Sequence, residues 1–116
     1  MLQAVTWNQV ELERLSDTIT RQMLNGEHTT VARIVLRKGA VVPRHRHPSE
    51  QLSIVLEGAM VFTFDDREVT VKSGEMIFIP SNVPHGATAL EETVDLDIFG
   101  PRREDWVKKD DAYLRG

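Results

Sequence analysis

Cysteine is absent from all 116 residues of the chain. That excludes disulfides, thiol nucleophiles and thiolate-held metals together, so any bound metal must rely on nitrogen and oxygen ligands. Long apolar runs are missing too; none approaches the ~20 residues that a membrane-crossing helix needs. The opening stretch, MLQAVTWNQVELERL, lacks a basic region followed by an apolar one. No secretory leader and no membrane partner are expected, and a cytoplasmic protein is the simplest expectation. There is also no extended Lys/Arg block: 14 basic residues face 18 acidic ones, for a net charge of −4. This composition argues against a nucleic-acid surface. An acidic small molecule would have to be met by a local arginine.

Helical periodicity is scarce as well. What the chain does contain is short strand-like segments divided by turn residues. TITRQML is followed by Asn25-Gly26, TTVARIVL by Gly39, AMVFTF by Asp65-Asp66, REVTVK by Ser73-Gly74, and MIFIP by Ser81-Asn82. Roughly eight such segments at about 8–12-residue spacing predict an all-β sandwich or barrel. At this length one domain spanning 1–116 is expected. A turn of helix is expected only around Pro101–Lys109, where Pro101 precedes Glu104-Asp105. Asn8 to Leu12 reads as a helical turn or an edge strand, and Trp7 as a cover for one end of the core. SIVL, MIFI and VARIVL are apolar at consecutive positions, which predicts burial on both faces of their strands. A partner subunit over the outer face would supply that cover, so a homodimer is expected; a flap formed by the first fifteen residues is the alternative.

The chemistry concentrates between Gly39 and Gly58. His45 and His47 are two apart, so an extended chain sends both side chains to one face. Gln51 follows after Pro48-Ser49, and His85 stands after Pro84 beyond a strand and a turn. Two imidazoles, an amide oxygen and a third imidazole make a donor set suited to one divalent transition metal, with Ni, Zn, Fe, Mn and Co all admissible. Glu50 points away if Gln51 points in. The remaining histidine, His28, sits in a turn and reads as solvated.

These residues resemble the two motifs of the cupins, G-x5-H-x-H-x(3,4)-E-x6-G and G-x5-P-x-G-x2-H-x3-N. The first is matched by Gly39, His45, His47, Gln51 and Gly58, with a glutamine where glutamate is usual. The second is matched by Gly74, Pro80, Asn82, His85 and Ala89, with Asn82 in place of glycine and Ala89 in place of asparagine. Asn tolerates the left-handed backbone such a turn needs; the alanine has no evident reason in the sequence. The resemblance implies a double-stranded β-helix, the jelly-roll cupin barrel, with both motifs pointing inward onto one metal. A neutral amide at Gln51 leaves more of the metal's charge uncompensated, making a stronger Lewis acid that is held less tightly.

Beyond the second motif, LDIFGPRREDW and DDAYLR resemble the tail of the KdgF-type cupins of pectin degradation, which also carry the H-x-H-x3-Q variant. That resemblance implies a metal-dependent isomerase that linearises 4,5-unsaturated uronate monosaccharides from pectin or alginate lyases. It assigns catalytic and substrate-contacting roles to Asp97, Phe99 and Arg103, and no organic cofactor. Asp97 and Phe99 share a strand face. Asp97 is a general acid/base candidate, or else the salt-bridge partner of Arg102 or Arg103. Arg103 is a carboxylate clamp, or like Arg102 a solvated charge beside Glu104 and Asp105. Trp106 and Tyr113 read as packing. An Fe(II) cupin dioxygenase and a non-catalytic small-molecule-binding cupin are the alternative expectations.

Overall fold

The computed structural model describes residues 2–115, and β-strands dominate them. Ten strands run in chain order: β1 (Glu13–Arg14), β2 (Ile19–Asn25), β3 (Thr30–Leu36), β4 (Val41–His45), β5 (Glu50–Glu57), β6 (Ala59–Thr63), β7 (Glu68–Lys72), β8 (Met76–Ile79), β9 (His85–Ala89) and β10 (Thr93–Gly100). Every pairing is antiparallel. Six strands form one sheet in the order β1-β2-β3-β10-β5-β8, and four form the other in the order β4-β9-β6-β7. From β3 onward the chain crosses repeatedly between the sheets, with only β6 and β7 consecutive in one of them, giving an all-β jelly roll whose interior lies between the two layers.

Two strands go beyond the eight expected. β1 is a two-residue edge beside β2, preceded by a 3-10 turn over Trp7–Gln9. β9, HGATA, has no apolar run to announce it; its small residues let the backbone approach β4 closely. A Cβ on Gly86 would stand 3.0 Å from the Val42 carbonyl oxygen. The expected placement of Trp7 over the core needs correction. Its side chain is half-buried outside the core cluster, and its carbonyl accepts a hydrogen bond from Gln22. The expected helix is present as α1 (Glu104–Val107), which buries Trp106.

The glycine punctuation has a steric cause at Gly58, where β5 turns into β6 with φ +89°. A Cβ there would fall 2.3 Å from the Glu92 carbonyl oxygen and 2.6 Å from Thr93 Oγ1. Asn82 adopts φ 60°, the left-handed backbone its motif position requires. Ala89 is fully buried, its N–H donating to the Ala40 carbonyl while its own carbonyl accepts from Gly39. A small apolar residue therefore suits that position.

Side-chain alternation on β10 and β5 positions everything that follows. On β10, Thr93, Asp95, Asp97 and Phe99 face inward, while Val94, Leu96 and Ile98 face out. On β5, Gln51, Ser53 and Val55 face inward, while Leu52, Ile54 and Leu56 face out. The polarity expected of a sheet with one wet face is inverted along these two strands. Elsewhere the interior is conventional, with Leu36, Phe62, Val71 and Ile79 buried.

Gly58→Ala is expected to lower the unfolding free energy by about 3 kcal/mol or more, from ~1–2 kcal/mol of backbone strain plus a clash of similar size. Gly74→Ala, whose Cβ would meet nothing within 4 Å, should lose only the backbone part, ~1–2 kcal/mol. Urea denaturation of the two variants checks this; equal losses would contradict the steric account.

Candidate metal centre

β4 and β9 bring His45 and His85 into register, across an irregularity after Val42 that turns the end of β4 inward. His47 lies in the bend before β5, and Gln51 is the first inward residue of β5. Glu50 is exposed, as strand alternation requires. Each imidazole is oriented by a backbone carbonyl. His45 Nδ1 meets the Pro43 oxygen, His47 Nδ1 the Ser49 oxygen and His85 Nδ1 the Val83 oxygen, each at 2.8 Å. A carbonyl only accepts, so all three rings carry their proton on Nδ1 and present the Nε2 lone pair to the interior.

Those lone pairs have nowhere else to go. The three histidines offer ligand atoms within 4.8 Å of one another. His85 Nε2 is buried without a hydrogen-bond partner. The Gln51 amide donates to Ser53 Oγ at 2.8 Å, turning its Oε1 to within 3.0 Å of His47 Nε2. Two acceptor atoms that close repel unless a cation lies between them. This donor arrangement fits a divalent metal held by His45, His47, His85 and Gln51. Burial disfavours the charged rings and pushes the pKa of His45 and of His47 down to about 4, and that of His85 down as well. The rings are therefore neutral, ligand-ready imidazoles at ordinary pH.

A cavity of about 40 Å³ lies behind these ligands, lined among others by His45, His85, Asp95, Asp97, Arg103 and Tyr113. Asp97 Oδ1 accepts a 2.6 Å hydrogen bond from Ser53 Oγ, which itself accepts from the Gln51 amide. Asp97 is bonded to neither Arg102 nor Arg103. Arg102 is on the surface with Glu104 and the Gly26 carbonyl. Arg103 is 2 % exposed and reaches the cavity. Its guanidinium lies over Phe99 and Trp106, 4.8 and 4.0 Å from the ring centroids, and binds Asp105 bidentately at 2.9 and 2.7 Å. Phe99 stands edge-on to both His47 and Trp106.

Three further residues belong to this arrangement. Ser53 links the glutamine to the aspartate. Tyr113 does more than pack: its ring lies 4.8 Å from His45, and its hydroxyl accepts from Arg103 and Trp106. The third, Asp95, is the inward neighbour of Asp97, flanked in the sheet by Ile34 and Val55. Burial raises both carboxyl pKa values. The nearby Asp97 charge raises Asp95 further, while the Ser53 hydroxyl moderates the rise at Asp97. Asp95 Oδ1 is buried without a hydrogen-bond partner. In the sequence only its even spacing from Asp97 hinted at this pairing.

Two outcomes follow. Metal content, measured after dialysis at stepped pH, should stay constant down through the ordinary histidine range and fall only towards about pH 4, where protons compete for His45 and His47; release near pH 6.5 would contradict their depressed pKa values. Asp95 keeps its proton in the folded state above the pH at which the unfolded chain loses it, so its stability contribution is present at low pH and lost as pH rises. Urea denaturation should show Asp95→Asn gaining on the parent between mildly acidic and neutral pH; a constant difference would rule out the retained proton.

Comparison with known proteins agrees with this geometry. The cupin domain pattern matches residues 32–99, more than half of the chain. The uncharacterized protein MJ0764 of Methanocaldococcus jannaschii is 32% identical over 82 residues, 70% of this chain and 67% of that protein. An RmlC-like cupin from Shewanella frigidimarina superposes with a TM-score of 0.81 at 31% identity, covering 88% of this chain and 93% of that one. KdgF from a Halomonas species superposes with a TM-score of 0.78 at 24% identity, covering 85% and 94%, a likeness of fold. With its histidines converging inside a jelly roll and the domain pattern spanning both motifs, this chain belongs to the cupin family.

Proposed function

We propose that the protein is a metal-dependent isomerase that opens the ring of a 4,5-unsaturated uronate monosaccharide to the linear keto form. The observation that carries this reading is Asp97, a buried carboxylate free of any arginine, hydrogen-bonded through Ser53 to a candidate metal ligand. The KdgF-like fold and tail motif support the substrate class. A metal bound at His45, His47, Gln51 and His85 would supply a Lewis acid for substrate oxygens.

The chain's own groups provide the proton path. Asp97, in its ionised form, takes the proton of the anomeric hydroxyl as the bond from C1 to the ring oxygen breaks. C1 becomes the aldehyde carbon, and the electron pair released on the ring oxygen forms an enolate. Delivery of the same proton from Asp97 to C4 leaves the ketone, so the reaction is balanced without a co-reactant. Arg103 would exchange Asp105 for the substrate carboxylate, a bidentate swap between like partners. Phe99 supports the guanidinium from beneath. The cavity holds no more than a few waters, so sugar entry requires the segment carrying Tyr113 to withdraw from His45.

The test is turnover of lyase-generated unsaturated galacturonate by metal-loaded protein, followed as loss of the conjugated-alkene absorbance. Decay faster than the spontaneous rate and abolished by chelator is expected. Asp97→Asn should lose at least ~100-fold in kcat with metal content unchanged. No acceleration with metal bound overturns the proposal; oxygen uptake would indicate a dioxygenase, and ligand binding without turnover a sensing role.

A further inference from the structure

One buried carboxyl takes no part in the proton path from Asp97. Asp95 is 3% exposed, lines the cavity, and its Oδ1 has no hydrogen-bond partner. A buried carboxyl oxygen in that state destabilises the fold until something supplies the missing bond. The other polar residues lining the cavity are those of the metal centre, Asp97 and the closing segment. Beyond Asp97 the walls are apolar, formed by Ile19, Ile34, Leu36, Met60 and Phe62. Among the described residues, Asp95 is the one hydrogen-bonding side chain on that floor.

Its depth matches one sugar ring. Phe99, Asp97 and Asp95 follow one another down the inner face of β10, and Arg103 lies over Phe99 at the top of the series. From Phe99 to Asp95 is four residues, ~13 Å of strand, which a uronate bridges with a hydrogen bond at each end. The cavity of about 40 Å³ that reaches Asp95 has room for a hydroxyl but not for a ring. The body of the ring takes the place that Tyr113 vacates.

The chemistry of the ring says which hydroxyl arrives there. C5 carries the carboxylate, and C2 stands across the six-membered ring from C5. With the carboxylate on Arg103 and Asp97 beside C1 and C4, the C2 hydroxyl is the group directed down the strand. Burial and the charge of Asp97 push the Asp95 pKa well up, and a protonated carboxyl can both donate to a hydroxyl and accept from it. Ile34 and Val55 flank Asp95 in the sheet, and their side chains offer a misdirected hydroxyl no partner. Building on the isomerase reading, on which this step rests, we infer that Asp95 binds the C2 hydroxyl of the sugar and distinguishes uronates epimeric at C2.

The unsaturated monomers that lyases release from galacturonate and mannuronate polymers differ only at C2, so their turnover by the metal-loaded protein tests this. The parent should favour one epimer at least ~10-fold in kcat/KM. Asp95→Leu should bring the ratio close to one by raising KM for the favoured epimer, with kcat and metal content little changed. Asp95→Asn, which still donates and accepts, should keep most of the ratio. If the leucine variant fails to fold, Asp95→Ala makes the same measurement. Equal turnover of both epimers by the parent, or a ratio that survives Asp95→Leu, overturns the inference and leaves the isomerase reading intact. Turnover of neither overturns that reading, and calorimetric binding of glucuronate and mannuronate, themselves C2 epimers, then decides the inference. A preference of the parent that Asp95→Leu abolishes is expected; equal binding, or none, overturns it.

Discussion

The pairing of β5 with β10 is the constraint on which the interior depends. Side chains alternate with a period of two, so a slip of one residue exchanges faces completely. A slip of β5 along this ladder would bring Leu52 and Ile54 into the barrel and expel Gln51 and Ser53. Apolar burial within one chain would favour that exchange, yet the opposite register is found. The turn at Gly58 opposes the slip. Its α-carbon packs against the backbone of Glu92 and Thr93 so closely that no Cβ fits. Thr93 then ties the turn to β6, its hydroxyl donating to the Ala59 carbonyl and accepting from the Ala59 N–H. A polar interior and an apolar exterior result from one local contact.

A polar interior must be satisfied, and here it is satisfied in sequence. Ring nitrogens facing away from the centre are occupied by backbone carbonyls, and the glutamine amide by Ser53, which in turn serves Asp97. Two atoms end these chains without partners inside the cavity, His85 Nε2 and Asp95 Oδ1. Buried groups left in that state destabilise a fold unless something binds them. A cation would answer the first, and a retained proton on Asp95 would ease the second. Low stability inside the barrel and readiness to bind thus share one origin.

The C-terminal segment closes the barrel by a different kind of contact. Trp106 lies between two guanidiniums, Arg21 at 4.5 Å and Arg103 at 4.0 Å from its ring centroid. Their charges are balanced by carboxylates, Glu13 and the buried Asp111 for Arg21 and Asp105 for Arg103. Charge-paired arginines over an aromatic ring hold a segment in place while keeping donors available beside the site. Hydrophobic packing alone would seal the mouth without leaving a group that can greet an anion.

Sequence by itself determined the punctuation and the donor set. The spacing of Gly39, His45, His47, Gln51, Gly58 and His85 was legible because backbone geometry and ligand chemistry each restrict residue type at single positions. The strands with apolar runs were legible for the same local reason, and so was the outward direction of Glu50. Other features rest on contacts between residues far apart in the chain, which no local pattern encodes. β9 was hidden because HGATA is chosen for close approach to Val42, not for its own apolar periodicity. The burial of Asp95 beside Asp97 depends on Ile34 and Val55 on flanking strands, which surround the Asp95 carboxyl with apolar side chains. The placing of Arg103 on the cavity and of Arg102 on the surface, and of Tyr113 against His45, were decided by the path of the segment after β10 across the mouth. Local chemistry named the candidate ligands; tertiary packing decided which charges surround them, because burial and distance are properties of the assembled fold.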